Sequence, residues 1–216
     1  MMKRSLIFDF DMTLVDSAAA ICGNLNALAH EKGLRPLALS EVRPTIGWAL
    51  VDAMRSFWGE GPVETEWLPR YRTLFEERNY AGVAPFNDTV AALEQLRSQG
   101  AELAIATNRL TPLGIVRAAG LERFFPVIVG SDGLKPKPDP AIVRETLRRM
   151  KRSSEVALYV GDTDIDMLTA RNAGVTAVGA ATGNHSASQL RESGAEYVIN
   201  ALTELPELLE VLNGKR

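Results

Sequence analysis

Two aspartates, one residue apart, follow a short apolar run near the start of the chain. Asp9 and Asp11 come directly after Leu6, Ile7 and Phe8, in the stretch DFDMTLVDS. Burying two ionised carboxylates beside each other costs several kcal/mol unless a positive charge lies between them. We therefore expect a cation at this point, and the pair is the first candidate for a chemical site.

Polar residues also follow three later apolar runs. They are Thr107 and Asn108 in ATN, the lysines of KPKPDP at 135–140, and Asp162 with Asp166 in GDTDIDMLTARNAG. In open α/β sheets, ligands bind beyond the carboxyl ends of the strands, so these side chains are expected at one edge. Carboxylates without cysteine or histidine are hard oxygen ligands, and they favour Mg²⁺ over zinc or copper.

The elements that must position these residues form a repeating pattern. Six short runs rich in branched apolar residues recur, and helix-like stretches of about ten residues separate the later ones. Runs without polar alternation are typical of strands covered on both faces, and the β–α alternation predicts a parallel sheet. The runs are 6–8, 103–106, 127–129, 156–160, 177–178 and 197–199. We therefore predict a doubly wound α/β core.

Residues 16–82 interrupt this alternation. They contain no convincing strand but show helical spacing of apolar residues, and all three tryptophans of the chain lie there. We predict a helical domain at 16–82 inserted into a discontinuous α/β core formed by 1–15 and 83–216.

Composition limits the classes of function. The chain has 216 residues, a net charge of −3 and one cysteine, Cys22. A mildly acidic chain has no global attraction for nucleic acid, and one cysteine gives neither an intrachain disulfide framework nor a thiolate metal cluster. No apolar run reaches the roughly 20 residues of a membrane span, and the initial apolar run is too short for a signal peptide. We expect a cytoplasmic protein without a nucleic-acid or membrane partner.

Together, the four motifs resemble those of the haloacid dehalogenase-like phosphohydrolases. DFDMTLVDS, ATN, KPKPDP and GDTDIDMLTARNAG occur in the order of that family, and the helical insert lies where its type-1 cap domain belongs. Within the family the chain most resembles the phosphoglycolate phosphatases. The resemblance implies a Rossmann-like core with a helical cap, and a small phosphorylated metabolite as substrate.

The resemblance also implies roles for three aspartates. Asp9 would be the nucleophile that forms an aspartyl-phosphate, which divides one difficult step into two. Mg²⁺ would be held by the Asp9 and Asp162 carboxylates and the backbone carbonyl of Asp11. The Asp11 side chain would protonate the leaving oxygen and then activate water.

Four further residues receive supporting roles from the same resemblance. The Thr107 hydroxyl and the Asn108 backbone N–H would bind phosphate oxygens. Lys135, rather than Lys137, would neutralise charge on the phosphate and Asp9. Asp166 would act through metal-bound water or Lys135. Lys137 and Arg109, together with Asp16, Asp132 and Asp164, are expected to be ordinary structural or solvent-facing charges.

The substrate is less well determined by the sequence. In the insert, Arg43 could bind a second anionic group of the substrate and Trp48 could form a wall of the pocket. The resemblance to the phosphoglycolate phosphatases makes 2-phosphoglycolate the leading candidate. A pyrophosphatase and a phosphosugar mutase of the β-phosphoglucomutase type share the motifs and stay open. A dehalogenase should have an aromatic residue at position 11, and a phosphonatase needs a cap lysine, for which only Lys32 is available. Monomer and homodimer are both compatible with the sequence.

Overall fold

The computed structural model describes residues 4–214 and has a six-stranded parallel sheet at its centre. The strand order is β5-β4-β1-β6-β7-β8. These strands are β1 (Ser5–Phe8), β4 (Glu102–Ala106), β5 (Val127–Val129), β6 (Ala157–Gly161), β7 (Thr176–Ala180) and β8 (Tyr197–Ile199). Two short strands, β2 (Val15–Asp16) and β3 (Ala84–Pro85), form a separate antiparallel pair.

The register of the central strands brings the candidate motifs together. In β1, Phe8 lies opposite Ile105 of β4 on one side and Val160 of β6 on the other. Asp9, Thr107 and Asp162 follow these positions by one or two residues. Because all three strands run in the same direction, their polar successors meet at one edge of the sheet.

Helices cover both faces of the sheet, which is why its strands are apolar on both sides. Apolar side chains of the strands belong to two buried clusters, one on each face. The helices of the core are α5 (Thr89–Ser98), α6 (Leu113–Ala118), α7 (Ala141–Met150), α8 (Asp164–Ala173), α9 (Ala187–Glu192) and α10 (Leu205–Gly214). Thr163 caps α8, since its hydroxyl accepts a hydrogen bond from the Asp166 backbone N–H.

The region between β2 and β3 is helical. It contains α1 (Ala18–Lys32), α2 (Leu39–Val42), α3 (Leu50–Trp58) and α4 (Leu68–Glu77). Its apolar residues pack on one another, for example Leu25 and Leu28 of α1 with Tyr71 and Leu74 of α4. The chain leaves the core and returns to it side by side at the β2–β3 pair.

The structure confirms the predicted doubly wound α/β fold. Each of the six apolar runs overlaps one strand of the sheet, and helices α1–α4 lie within the predicted insert. The exact domain boundaries at 16 and 82 stay a prediction.

Among residues 4–214, no helix is long and apolar enough to cross a membrane. The N-cap position of α7 is occupied by Pro140 rather than by the acidic residue that precedes it. Asp139 instead accepts a hydrogen bond from the Ala141 backbone N–H.

Candidate active site

A cavity of about 360 Å³ lies between the carboxyl ends of the strands and the helical insert. Asp9, Asp11 and Thr107 line its floor, and Tyr71 and Phe75 of α4 lie on its opposite side. Much of the wall consists of apolar side chains from the insert. The cavity therefore places the predicted reactive carboxylates against a mostly apolar chamber, which strengthens electrostatic interactions at its floor.

Three buried aspartates form the densest group of carboxylates. Asp9, Asp162 and Asp166 each contribute an oxygen, and these oxygens all lie within 4.8 Å of one another. Their residues are 2%, 1% and 0% exposed. So close an arrangement of ionised groups requires compensating positive charge.

Lys137, and not Lys135, supplies part of that charge. The Nζ of Lys137 lies 2.8 Å from Oδ1 of Asp9 and 2.6 Å from Oδ1 of Asp166, and its side chain is 0% exposed. The side chain of Lys135 is 82% exposed and lies near Asp139. The expected placement of Lys135 is therefore corrected. KPKPDP contains two lysines, and each of them is followed by a proline. Only Lys137 has a proline on both sides, and this is the sequence signal that distinguishes it from Lys135.

Asp166 acts as a structural acceptor beneath the nucleophile candidate. Its Oδ1 accepts from Lys137, and its Oδ2 accepts from both the backbone N–H and the hydroxyl of Thr163. The Tyr159 hydroxyl donates to the Ala106 carbonyl, and its ring lies 5.8 Å from the Lys137 ammonium. Tyr159 was missed from the sequence because it lies within an apolar strand, where a buried aromatic residue is ordinary.

Burial dominates the electrostatics of the acidic group. The pKa of Asp9 is raised from its ordinary value of 3.8 to about 6, because burial and the charge of Asp166 together outweigh the opposing effect of Lys137. Burial, followed by the charges of Asp166 and Asp9, also raises the pKa of Asp162. Burial alone would lower the pKa of Lys137, but Asp166 and Asp9 outweigh it and raise the pKa well above its ordinary value. The lysine therefore stays charged.

The donor set fits a hard divalent cation. The contact between Lys137 and Asp9 Oδ1 lacks hydrogen-bond geometry, so this buried oxygen has no hydrogen-bond partner among residues 4–214. The two oxygens of Asp162 are held in place by the Thr13 hydroxyl at 2.9 Å and the Asn184 backbone N–H at 2.8 Å. Oriented carboxylate oxygens near one unpartnered oxygen are what Mg²⁺ requires.

A glycine allows the loop after β7 to approach these ligands. A Cβ atom on Gly183 would lie 2.0 Å from Oδ2 of Asp162, so no larger residue fits without displacing the carboxylate. Gly183 lies in the loop after β7, which is the fifth strand to end at this edge of the sheet. Because the predicted site includes the ends of four strands only, it contains neither Gly183 nor Asn184.

The two residues of the second motif lie at the cavity floor. Thr107 is 2% exposed, and its hydroxyl accepts a hydrogen bond from the Arg109 backbone N–H at 3.4 Å. The Asn108 side chain joins two parts of the site: its Oδ1 accepts from the Lys137 backbone N–H at 2.7 Å, and its Nδ2 donates to the Gly47 carbonyl at 2.9 Å. Asn108 therefore links the lysine loop to the helical insert.

Arg109 occupies a position that we did not expect. Its Nε and Nη2 each lie 2.7 Å from an oxygen of Asp11, which makes a bidentate ion pair at the cavity floor. Its guanidinium also lies 5.3 Å from the ring centroid of Phe75 in α4. The signal that could have indicated it was its position directly after ATN, at the same edge as the other motifs.

The two insert residues proposed to bind substrate are placed differently. Trp48 lines the cavity and is 42% exposed. Arg43 lies in a short 3₁₀ turn, Arg43–Thr45, where it is exposed and does not line the cavity. The structure therefore does not bring Arg43 to the site in this conformation.

Comparisons with known proteins agree with the motifs. The family model described as haloacid dehalogenase-like hydrolase matches residues 6–180. A phosphoglycolate phosphatase from Rhodobacter capsulatus is 36% identical over 188 residues, which cover 81% of this chain and 82% of the relative. A phosphoglycolate phosphatase from Caulobacter vibrioides is 33% identical over 215 residues, which cover 94% and 89%.

The fold also matches a solved structure. A crystal structure described as a predicted phosphatase from Clostridium acetobutylicum superposes with a TM-score of 0.87 at 24% identity, covering 99% of this chain and 100% of that one. At this identity the likeness concerns the fold alone.

Proposed function

The chain belongs to the haloacid dehalogenase-like hydrolases, and we propose that it is a magnesium-dependent phosphomonoester hydrolase with Asp9 as its nucleophile. One observation carries this proposal. Asp9 lines the cavity with a buried oxygen that has no hydrogen-bond partner within residues 4–214, and Lys137 and Asp162 flank it. A carboxylate held in this way is suited to attack a phosphorus atom whose charge is neutralised by its neighbours.

In the first half of the reaction, an Asp9 oxygen attacks the phosphorus and the bond to the leaving oxygen breaks. Asp11 lies two residues further on at the same edge. Its Oδ2 releases the Nε of Arg109, carries a proton and donates it to the departing alkoxide, while its Oδ1 keeps the hydrogen bond from Nη2. Thr107 and the backbone N–H of Asn108 bind non-bridging oxygens, while Lys137 balances the charge of Asp9 and the phosphoryl group. The product of this half is an aspartyl-phosphate and a free alcohol.

In the second half, water attacks the phosphorus of the aspartyl-phosphate and Asp11 accepts the proton from that water. The bond between phosphorus and the Asp9 oxygen breaks, which releases inorganic phosphate and restores the carboxylate. Mg²⁺, bound by Asp9, Asp162 and the Asp11 carbonyl, would neutralise developing negative charge on the phosphoryl oxygens. Asp166 keeps Lys137 in place throughout.

We propose a small phosphorylated metabolite as substrate, with 2-phosphoglycolate as the leading candidate. Relatives that are 31–36% identical are named phosphoglycolate phosphatases, which supports the choice. The cavity of about 360 Å³ accommodates a substrate of that size together with water. The cytoplasmic location expected from the sequence stays a prediction.

The test measures phosphate release with Mg²⁺ from a panel that contains 2-phosphoglycolate, pyrophosphate and sugar phosphates. We expect release from at least one member, and Asp9→Asn should reduce kcat by about 10⁴-fold or more because it removes the nucleophile. Folding of the variant is checked by circular dichroism. The proposal fails if the wild type releases no phosphate from any member, or if Asp9→Asn retains wild-type activity. Isomerisation of glucose 1-phosphate without phosphate release would instead indicate the mutase.

A further inference from the structure

Arg109 presents only one of its two hydrogen-bonding edges to Asp11. The Nε and Nη2 atoms donate to the two oxygens of Asp11 at 2.7 Å each. A guanidinium carries five N–H groups, so three remain, and two of them, one on Nη1 and one on Nη2, point in parallel from the opposite edge. Among residues 4–214, Nη1 has no acceptor.

The orientation of this free edge is fixed. Asp11 holds one side of the guanidinium, and the Phe75 ring of α4 lies 5.3 Å from its central carbon. The side chain of Arg109 is 17% exposed. Burial acts to lower the pKa of Arg109, but the charge of Asp11 outweighs it and raises the pKa, so the group remains a cation. A charged fork held from two sides is preorganised to bind an anion.

The other two cations that line the cavity are placed differently. Lys137 lies between Asp9 and Asp166, and Arg72 of α4 donates to the Thr111 hydroxyl at 2.9 Å in an exposed contact. Asp52 and Glu76, the insert carboxylates that line the cavity, are both exposed. Within residues 4–214, Arg109 is therefore the arginine of the cavity lining that bonds a reacting carboxylate and still has free donors.

The position of Arg109 also indicates which part of a substrate it would meet. In the proposed mechanism Asp11 contacts the leaving oxygen, and Arg109 is bonded directly to Asp11. A group that contacts the free edge of Arg109 must therefore lie on the leaving-group side, within a few bonds of the ester oxygen. A carboxylate or a phosphate matches the two parallel N–H groups of that edge.

We propose that Arg109 selects substrates that carry a second anionic group, a carboxylate or phosphate, on a short leaving group. This inference rests on the proposed phosphatase function and gives Arg109 the role first expected of Arg43. Asp11 positions the guanidinium, and the apolar wall of the cavity strengthens the contact by excluding water. Phosphomonoesters with a neutral leaving group of the same size lack this contact.

The experiment compares two substrates of the same shape, 2-phosphoglycolate and its amide, which has no carboxylate charge. For the wild type we expect kcat/KM to be about 10- to 100-fold higher for the acid, the usual value of a charge-assisted hydrogen bond. Arg109→Gln should reduce this preference to about 3-fold or less. Arg109→Lys, which keeps the charge and loses the fork, should retain an intermediate preference.

The ratio of the two substrates separates recognition from other damage. Loss of the contact with Asp11 slows both substrates alike, so it leaves the ratio unchanged. Arg72→Gln is the matched control, because it removes another cavity arginine and should preserve the wild-type ratio. If Arg109→Gln keeps the preference, or if Arg72→Gln abolishes it instead, the inference is overturned.

A measurement on the wild-type protein tests the role of Arg109 without depending on whether a variant folds. Glycolate should inhibit hydrolysis of p-nitrophenyl phosphate at least 10-fold more strongly than glycolamide, since only the former offers a carboxylate to Arg109. Equal inhibition by the two, or turnover of both phosphates without preference, overturns the role of Arg109 and leaves the phosphatase function standing. Failure to release phosphate from these three substrates overturns the role of Arg109, and failure with every member of the panel as well overturns both proposals.

Discussion

The core side and the insert side of the cavity hold their polar groups in different ways. On the core side, Asp9, Lys137 and Asp166 form a buried ionic cluster in which the lysine contacts both carboxylates. On the insert side, apart from the Arg109 guanidinium beside the Phe75 ring, the polar contacts with the core among residues 4–214 are single hydrogen bonds. They join Asn108 to the Gly47 carbonyl, Asn184 to the Ile46 carbonyl and Arg72 to Thr111.

This difference assigns the reaction to the core side of the cavity and the entry of substrate to the insert side. A buried ionic cluster is costly to disrupt, because removing one member leaves an uncompensated charge. A single hydrogen bond contributes only about 1 kcal/mol net, so three of them can break together when the insert moves. We infer that the core holds its reacting groups in place whether or not substrate is present, whereas the insert can open to admit it.

Replacing Lys137 should have the largest effect on this contrast. Lys137→Met leaves Asp9 and Asp166 buried without their cation, which should lower the free energy of unfolding by about 3–5 kcal/mol. Phosphate release should fall by about 10²-fold or more, since a charge-stabilising group is lost. Lys135→Ala is the matched control and should change the free energy of unfolding by about 0.5 kcal/mol or less. Urea unfolding and kcat/KM measure both, and an equal loss in the two variants would contradict the assignment.

The stabilising effect of Mg²⁺ should depend on pH. Because the pKa of Asp9 is raised to about 6, the folded metal-free protein binds a proton between about pH 4 and pH 6 that the unfolded chain does not. This contribution to stability is therefore present at low pH and is lost as the pH rises through about 6. Above that pH Asp9 is ionised although it is buried and lies beside other carboxylates, and Mg²⁺ offsets the cost of both.

Thermal unfolding with and without Mg²⁺ measures this dependence. At pH 7.5, Mg²⁺ at about 100 times its Kd should stabilise by about 2.7 kcal/mol, which raises Tm by roughly 5–10 °C. At pH 5 the shift should be less than half as large, since the ion must displace protons. Asp162→Asn should remove the shift at pH 7.5, and an equal shift at both pH values would contradict the proposed ligands.

The insert side should respond more weakly to substitution. Gly47 has a φ of 107°, and a Cβ atom there would lie 3.2 Å from Cγ2 of Thr163. Gly47→Ala should therefore cost about 1–3 kcal/mol of backbone strain and hold the insert away from the core, which lowers kcat/KM by about 10-fold. Gly59 also has a positive φ, of 77°, but nothing lies within 4 Å of its Cβ position. Gly59→Ala should show the strain without the kinetic loss, and identical kinetics for the two variants would argue against closure at Gly47.

The sequence predicted the core more completely than the insert for a physical reason. Strands covered on both faces consist of apolar runs, so all six strands of the sheet could be located in the sequence. Their parallel order then placed Asp9, Thr107 and Asp162 at one edge of the sheet. A helical insert has no such register. The position of Arg43 relative to the cavity depends on how α2 and α3 pack, which apolar spacing alone does not determine.

Side-chain direction explains the remaining errors at the site. Lys135 and Lys137 differ by two residues in an irregular loop, where no periodicity indicates which of them points inward. Arg109 similarly follows the last regular residue of β4, and its ion pair with Asp11 joins positions 98 residues apart. Contacts of this kind arise only when the tertiary structure brings separate loops together.

The β2–β3 pair determines how freely the inserted segment can vary in evolution. Asp16 lies opposite Ala84, so the segment between them leaves the core and returns to it at adjacent points. The closure of that long excursion adds little conformational cost, because its two ends are already held side by side. Such a segment can be lengthened, shortened or exchanged as a cassette without disturbing the sheet. The same α/β core can in this way carry different inserts above its active site, each of which admits a different substrate.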